Sequence, residues 1–564
     1  MSTGRLLRVR RAAVIAAAFF GLGCAGEVTA HVTPDASTPD TAVSATAEVD
    51  ATPGTDLGPD ASTSCGLPTA CAALWEERAS ARLQTVSTVP TELMAFLTAV
   101  PKGGDLHNHL NGAVYAETYL DWAREDGNCV VTGTHSLAFG NKCTTGTLPV
   151  PTEGDFYNAI IRAWSMQDFV PGAETGHDHF FATFGKYGLV AGAHRDDSIA
   201  DVLTRAAEEN VVYVETMFNL GKNVGTVAAS LWSGSVKVTD LPALYDALIA
   251  DSGFSAAIDD DVNVVSLAAT GYRKVLGCAT AAAPPAACDV GVRFIAQVAR
   301  TGPSDTVFGQ LVSAYEMAAR SPHIVGANLS SPEDDPSSLT NYALHMAMLD
   351  FLYHKYTLTK KSPLHITLHA GELVPKYLPA GFSATGLQHV RDAVEVGHAE
   401  RIGHGVDVLS DPDPEGLMAA MRERGVLVEV CLSSNIQILE VSGSDHPLGH
   451  YLVQDVPVAL ATDDQGVSRS SMAGEYARGV RDQKLTYRQL KRMARDSLEH
   501  AFLPGASLWE SVASGRPVAA CLPTDTMAVG GPPNATCQPL LNASERARTQ
   551  WELERRFLDF ESKQ

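Results

Sequence analysis

His107 and His109 stand two residues apart in Gly-Asp-Leu-His-Asn-His (104–109). On an extended strand alternate side chains share a face, so both imidazoles point the same way and could hold one cation. An HxH pair alone is a weak signal. His369 closes Leu-His-Ile-Thr-Leu-His (364–369) and Asp463 closes Val-Ala-Leu-Ala-Thr-Asp (458–463), each ending another apolar run. Three imidazoles and one carboxylate make a nitrogen–oxygen set suited to a single Zn²⁺ per chain, with a position left for water. Zinc in such a site makes hydroxide available near pH 7. The water needs a proton acceptor, and His404 in Arg-Ile-Gly-His-Gly (401–405) is the candidate to orient and deprotonate it. A leaving group needs a donor: Glu372, three residues past His369, offers a carboxyl whose pKa enclosure would raise. Asp464 follows a proposed ligand, must face elsewhere, and can accept a hydrogen bond from substrate or hydroxide. Taken singly, each of these residues reads better as a cap or an ion-pair member. Their joint placement at separate run ends carries the argument.

The elements that would position them are short. Eight strand-like runs fall near 104–109, 211–216, 263–269, 324–329, 364–369, 401–404, 427–432 and 458–463. Helical patterns lie between them, among them Leu203–Glu209, Val292–Arg300, Thr340–Tyr353, Gly386–Val396 and Glu415–Arg424. Strands alternating with helices mean parallel βαβ units, and eight units predict an α/β fold, a (β/α)₈ TIM barrel with insertions over residues 101–504. In a barrel, polar residues gathered at strand ends describe the active face. His107, His109, Glu215, His369, His404 and Asp463 fit that placement.

The rest of the chain is compatible with an exported enzyme. Its 564 residues are 45% hydrophobic with 47 Gly and 30 Pro, which suits a loop-rich globular body and excludes collagenous, coiled-coil and low-complexity classes. A net charge of −23 repels phosphate backbones, so a neutral or cationic small molecule is expected and a nucleic-acid polymer is not. Arg5, Arg8, Arg10 and Arg11 precede an apolar run from Ala12 to Leu22, too short to span a bilayer, which reads as an export signal over residues 1–24. Gly-Leu-Gly before Cys24 resembles a bacterial lipoprotein signal, whose lipidated cysteine would be the only membrane attachment; plain periplasmic or secreted export is the alternative. Residues 25–64 hold seven acidic residues and no Lys or Arg, and read as a disordered stalk. An N-terminal extension (65–100) follows. After the barrel comes a Gly/Pro/Ala-rich extension (505–564) whose Leu540–Phe560 segment is an amphipathic helix expected to pack on the barrel, a homodimer contact being left open. Setting aside Cys24, neighbour pairing suggests disulfides Cys65/Cys71, Cys129/Cys143, Cys278/Cys288 and Cys521/Cys537, with Cys431 alone.

Pro-Lys-Gly-Gly-Asp-Leu-His-Asn-His-Leu (101–110), Val-Tyr-Val-Glu (212–215), His-Ala-Gly-Glu (369–372), Gly-His-Gly (403–405) and Thr-Asp-Asp (462–464) occur in this order. The series resembles the motifs of the adenosine deaminase family, within the amidohydrolase superfamily. The export signal and extra cysteines are similar to its secreted, growth-factor-like branch. The resemblance implies zinc on His107, His109, His369 and Asp463, with Glu372, His404 and Asp464 catalytic. It further implies substrate contacts from Asn111, Gly112, Asp464 and Glu333. The chemistry implied is hydrolysis of adenosine and 2′-deoxyadenosine to inosine or deoxyinosine and ammonia, outside the cytoplasm. Asn111 replaces a usual Asp at the ribose end, and Ser330-Ser331-Pro332-Glu333 replaces a Gly-Asp-Glu-like turn. These departures keep adenine or another amino-heterocycle open as substrate. A catalytically inactive surface binding protein is the rival of another class, although every ligand and Glu372 are present. Cys278–Cys288, placed after the third expected strand, and Cys129–Cys143 would brace loops at the active face, where either could serve as a lid. Trp164, His177, His179 and Phe180 could line a pocket, with helix packing the better reading.

Overall fold

The computed structural model describes residues 68–140, 142–383, 386–524 and 527–564. The expected export signal, the stalk and Cys65 lie outside the described residues. Among the described residues, no helix is long and apolar enough to cross a membrane.

Eight strands follow one another in the sheet in chain order: β1 (Lys102–His109), β2 (Val211–Asn219), β3 (Gly291–Ala299), β4 (Ile324–Ser330), β5 (His365–Ala370), β6 (Arg401–His404), β7 (Leu427–Val430) and β8 (Val458–Leu460). Every pairing between them is parallel. A parallel bridge between Asn108 and Asp463 joins the last strand to the first, with Asp463 N donating to His107 O at 2.8 Å. That bridge closes the barrel and sets a proposed ligand beside the HxH pair. Helices cover the outside, so the strands are buried on both faces, the polar residues of β1 and β6 included. Several helices are started by side-chain caps: Asp335 accepts from Ser337 N, Asp413 from Gly416 N, and Ser471 from Gly474 N.

Seven of the eight expected strands are present, and the third is elsewhere. Residues 263–269 belong to the helix Ser252–Val275, started by Asp251 accepting from Phe254 N. Its buried residues Phe254, Ala257, Ile258, Val265, Ala268, Ala269 and Tyr272 recur at helical spacing. The 3.6 period over the longer window overrides the β-branched preference of Val264 and Val265. The actual strand is β3, where a helix was expected over Val292–Arg300; its buried Val292, Phe294, Ile295, Ala296 and Val298 form the compact run of a strand covered on both faces. In consequence Cys278–Cys288 precedes β3, in the connection entering the N-terminal end of that strand. It belongs to the face opposite the site and is no lid.

Cys129–Cys143 does lie in the excursion after β1, where Cys129–Val131 pairs antiparallel with Leu137–Ala138 and Thr147–Pro149. Cys521–Cys537 staples the C-terminal extension, and Cys431 is free and buried. The terminal helix Glu545–Glu561 packs on the barrel's outer layer, with Phe560 edge-on to Phe96 at 5.3 Å and Glu554 paired to Arg495 at 2.7 Å.

Candidate metal centre and active site

The ends of β1, β5 and β8 bring four donor atoms together. His107 Nε2 and His109 Nε2 lie 3.1 and 3.2 Å from His369 Nε2. Asp463 Oδ1 is 3.4 Å from His109 Nε2 and 3.7 Å from His107 Nε2. The backbone turns sharply here: Asp463 has φ +57° and His404 φ +68°, a left-handed conformation that a surrounding structure must enforce. Gly403 is needed for the close approach of β1, since a Cβ there would fall 2.6 Å from His107 Cε1.

Each imidazole is aimed by a partner on its far side. His107 Nδ1 donates to Glu429 Oε2 at 2.7 Å, and His369 Nδ1 to Asn328 Oδ1 at 2.6 Å. Gln297 supplies a hydrogen bond to His109. With Nδ1 protonated on His107 and His369, their Nε2 lone pairs face each other across 3.1 Å, an arrangement that repels unless a cation lies between. Donors held about 2 Å from one centre stand about 3–3.5 Å apart, so the spacing fits a zinc ion on His107, His109, His369 and Asp463. Burial, and then the charge of neighbouring His107, push His369 well below the ordinary imidazole range, the state a metal ligand needs.

Three further groups border this cluster. Glu372 lies on the loop leaving β5, buried, with Oε1 3.7 Å from His404 Nε2. Burial first and the Asp463 charge second raise its pKa well above the carboxylate range, so it stays protonated. Burial and Asp463 raise Asp464 likewise. Asp464 lies over Gly112, where any Cβ would collide with Oδ1. His404 Nε2 and Asp464 Oδ1 are both buried without a hydrogen-bond partner. Orphaned polar atoms at the mouth of a barrel are what a reacting molecule would satisfy.

The remaining expected residues separate into two groups. Asn111 is exposed, and its backbone carbonyl accepts from Tyr119 Oη at 2.9 Å. Glu333, expected at the substrate, is a brace: its carboxylate accepts from Gly371 N at 3.1 Å, Glu372 N at 2.9 Å and His389 Nδ1 at 2.6 Å. Against its burial, Arg300 and His389 hold it at about 2. It fixes the loop that carries Glu372, and both of its oxygens are engaged in doing so. Glu215, expected on the active face, instead pairs with Arg401 at 2.7 Å and accepts from Phe502 N at 2.6 Å. The Ser330–Glu333 turn keeps the shape of a glycine turn, since Ser331 has φ +83°. Trp164 is packed in the core of the β1–β2 excursion and His177 reaches Asp334 at 3.2 Å.

Sequence reasoning missed Glu429, Arg300 and Thr367. Glu429 had a visible signal, a charged residue inside the apolar run Leu-Val-Glu-Val on β7. Arg300 had none, because a charged residue at the end of an element is ordinary.

Residues 263–510 match the family model described as adenosine deaminase. Among curated proteins, the adenosine deaminase of Photorhabdus laumondii is 29% identical over 219 residues, covering 38% of this chain and 56% of the relative. That of Klebsiella pneumoniae is 31% identical over 230 residues, covering 40% and 61%. The chain thus spans roughly half the length of these relatives. Solved structures that align include adenine deaminase from Arthrobacter aurescens, at TM-score 0.45 and 19% identity over 72% of this chain and 95% of that one. An Arabidopsis N6-mAMP deaminase aligns at TM-score 0.46 and 20% identity over 73% and 96%.

Proposed function

We propose that this chain is an exported, zinc-dependent aminohydrolase that converts adenosine and 2′-deoxyadenosine to inosine or deoxyinosine and ammonia. The observation that carries the reading is the convergence of His107, His109, His369 and Asp463 on one point, with Glu372, His404 and Asp464 at its edge. The adenosine deaminase match over residues 263–510 supports the substrate class. Zinc on those four residues supplies Lewis-acid activation of water at neutral pH.

The chain's own groups handle the protons. Glu372, protonated because buried, donates to the ring nitrogen beside the amino-bearing carbon. The electron pair displaced when water oxygen attacks that carbon then rests on this nitrogen, and its proton stays in the product. The water gives up one proton on attack and a second as the carbon–oxygen double bond forms. One departs on ammonia and the other restores Glu372. His404 Nε2 and Asp464 Oδ1 are the unsatisfied atoms that face the attacking oxygen and the departing amine. The net charge of −23 disfavours phosphorylated substrates.

Ammonia release from the zinc-loaded protein, assayed with adenosine, deoxyadenosine, adenine, AMP and guanosine, tests the reading. Release from the two adenine nucleosides is expected. Release from adenine alone would transfer the activity to free bases, with Asn111 marking a rebuilt ribose end. Silence on all five, with zinc bound, would overturn it. Export is supported by three disulfides within the described residues, which suit an oxidising compartment. If Cys24 is the lipid anchor, Cys24→Ser shifts the protein from the membrane to the soluble fraction.

A further inference from the structure

A line of polar groups runs from a backbone amide to the reacting centre. Leu448 N lies 3.1 Å from His446 Nδ1. A backbone amide can only donate, so Nδ1 accepts and the neutral ring carries its proton on Nε2. Burial keeps that ring neutral, holding His446 at about 4. His446 Nε2–H then donates to Asn435 Oδ1 at 3.1 Å. This fixes the amide, because turning it over would set two N–H donors against each other. Asn435 Nδ2 therefore faces His404 Nδ1, 3.0 Å away, and donates to it. A neutral His404 that accepts at Nδ1 carries its proton on Nε2. All three side chains are buried, at 2%, 0% and 1% exposure, so water cannot step in to reverse the order. At the end of the line His404 Nε2 is buried, without a partner, and 3.7 Å from Glu372 Oε1.

We propose that His446, acting through Asn435, is a positioning residue that holds His404 as an N–H donor to the attacking oxygen. The proton-accepting role expected of His404 from sequence is thereby reversed. This inference rests on the deaminase reading for its substrate, while its hydrogen-bond order stands on geometry alone. A donor aimed at the oxygen stabilises the charge that develops there. The first proton of the water then leaves on the amine, and Asp464 Oδ1, which has no other partner, is free to accept a hydrogen bond from that oxygen.

Asn435→Asp tests this with almost no change of shape. A carboxylate would accept from His404 Nδ1–H and leave a lone pair on Nε2. The expected result is a fall in kcat of about 10²-fold, with KM and zinc content near wild type. Unchanged or increased kcat would mean that His404 works as a base, and would overturn the proposal. His446→Gln, which still donates to Asn435, should keep most activity, whereas His446→Leu should lose it. Equal losses in both would reduce His446 to a packing role and also overturn the proposal. If Asn435→Asp or His446→Leu does not fold, ¹⁵N-histidine NMR of the zinc-loaded wild type reads the same question. A protonated Nε2 and unprotonated Nδ1 on His404 are expected, and the opposite pattern refutes it. A wild type that releases no ammonia from any purine would sink the deaminase reading, yet the NMR pattern would still decide the hydrogen-bond order.

Discussion

Two layers of the barrel interior treat buried charge in opposite ways. Beneath the candidate centre, Arg401 lies between Glu215 at 2.7 Å and Glu429 at 2.6 Å, with its guanidinium 3.7 Å from the Phe502 ring centre. Glu429 also takes His107 Nδ1 and Thr367 Oγ1, and against the cost of burial Arg401 and His107 hold its carboxyl at about 2. Above it, Glu372 and Asp464 have no cationic side chain paired with them, and burial raises both. The lower layer is arranged to stay ionised and immobile. The upper one is left with protons to give and atoms to satisfy. Burial is common to both layers, so the presence or absence of a partner separates scaffold from chemistry.

The largest expected effect tests the upper layer. Glu372→Gln keeps the shape and removes the proton, so kcat should fall about 10³-fold while zinc content and melting temperature stay near wild type. Wild-type turnover would remove Glu372 from the donor role. A smaller effect separates functions within the lower layer. Glu429→Gln should weaken zinc binding about 10–100-fold in chelator competition, because His107 loses the carboxylate that orients it. Glu215→Gln disturbs the same Arg401 but touches no ligand, so it should lower stability and leave zinc affinity alone. If both variants lose zinc equally, the lower layer acts only through general stability.

How much of this was legible in sequence follows from which interactions are local. The cluster of His107, His109, His369 and Asp463 was readable because each stands at or near a strand end, and strand ends in a barrel converge whatever the intervening helices do. The third strand was misread because Val264 and Val265 carry a β-branched signal over a few residues. The helical period that overrides it emerges only across Phe254 to Tyr272. That error moved one disulfide to the wrong face without touching a proposed ligand. Glu333 was misassigned because its partners, the Gly371 and Glu372 amides and His389, lie 38 to 56 residues away. The Leu448–His446–Asn435–His404 order was invisible for a related reason: which atom of an imidazole or amide donates is set by three-dimensional neighbours, and residue type leaves it open.

A last effect, on stability alone, concerns a glutamate that combines features of the two layers. Glu475 is buried and accepts from Ser433 N at 3.1 Å, at the start of the helix Leu432–Leu439 that carries Asn435. Burial raises it to about 7 despite that hydrogen bond, because no cation pairs with it as Arg401 does with Glu429. A carboxyl with a raised folded-state pKa binds its proton more tightly folded than unfolded. Its contribution is therefore fully present at pH below about 4.5 and is lost as pH rises through about 7, by on the order of 3 kcal/mol. Glu475→Gln keeps the acceptor for Ser433 N and cannot ionise. Relative to wild type it should gain stability between pH 5 and pH 8, measured as the difference in urea unfolding free energy between the two proteins. A difference that does not change with pH would mean that Glu475 ionises freely in the fold, and that burial without a partner is not what sets the upper layer apart.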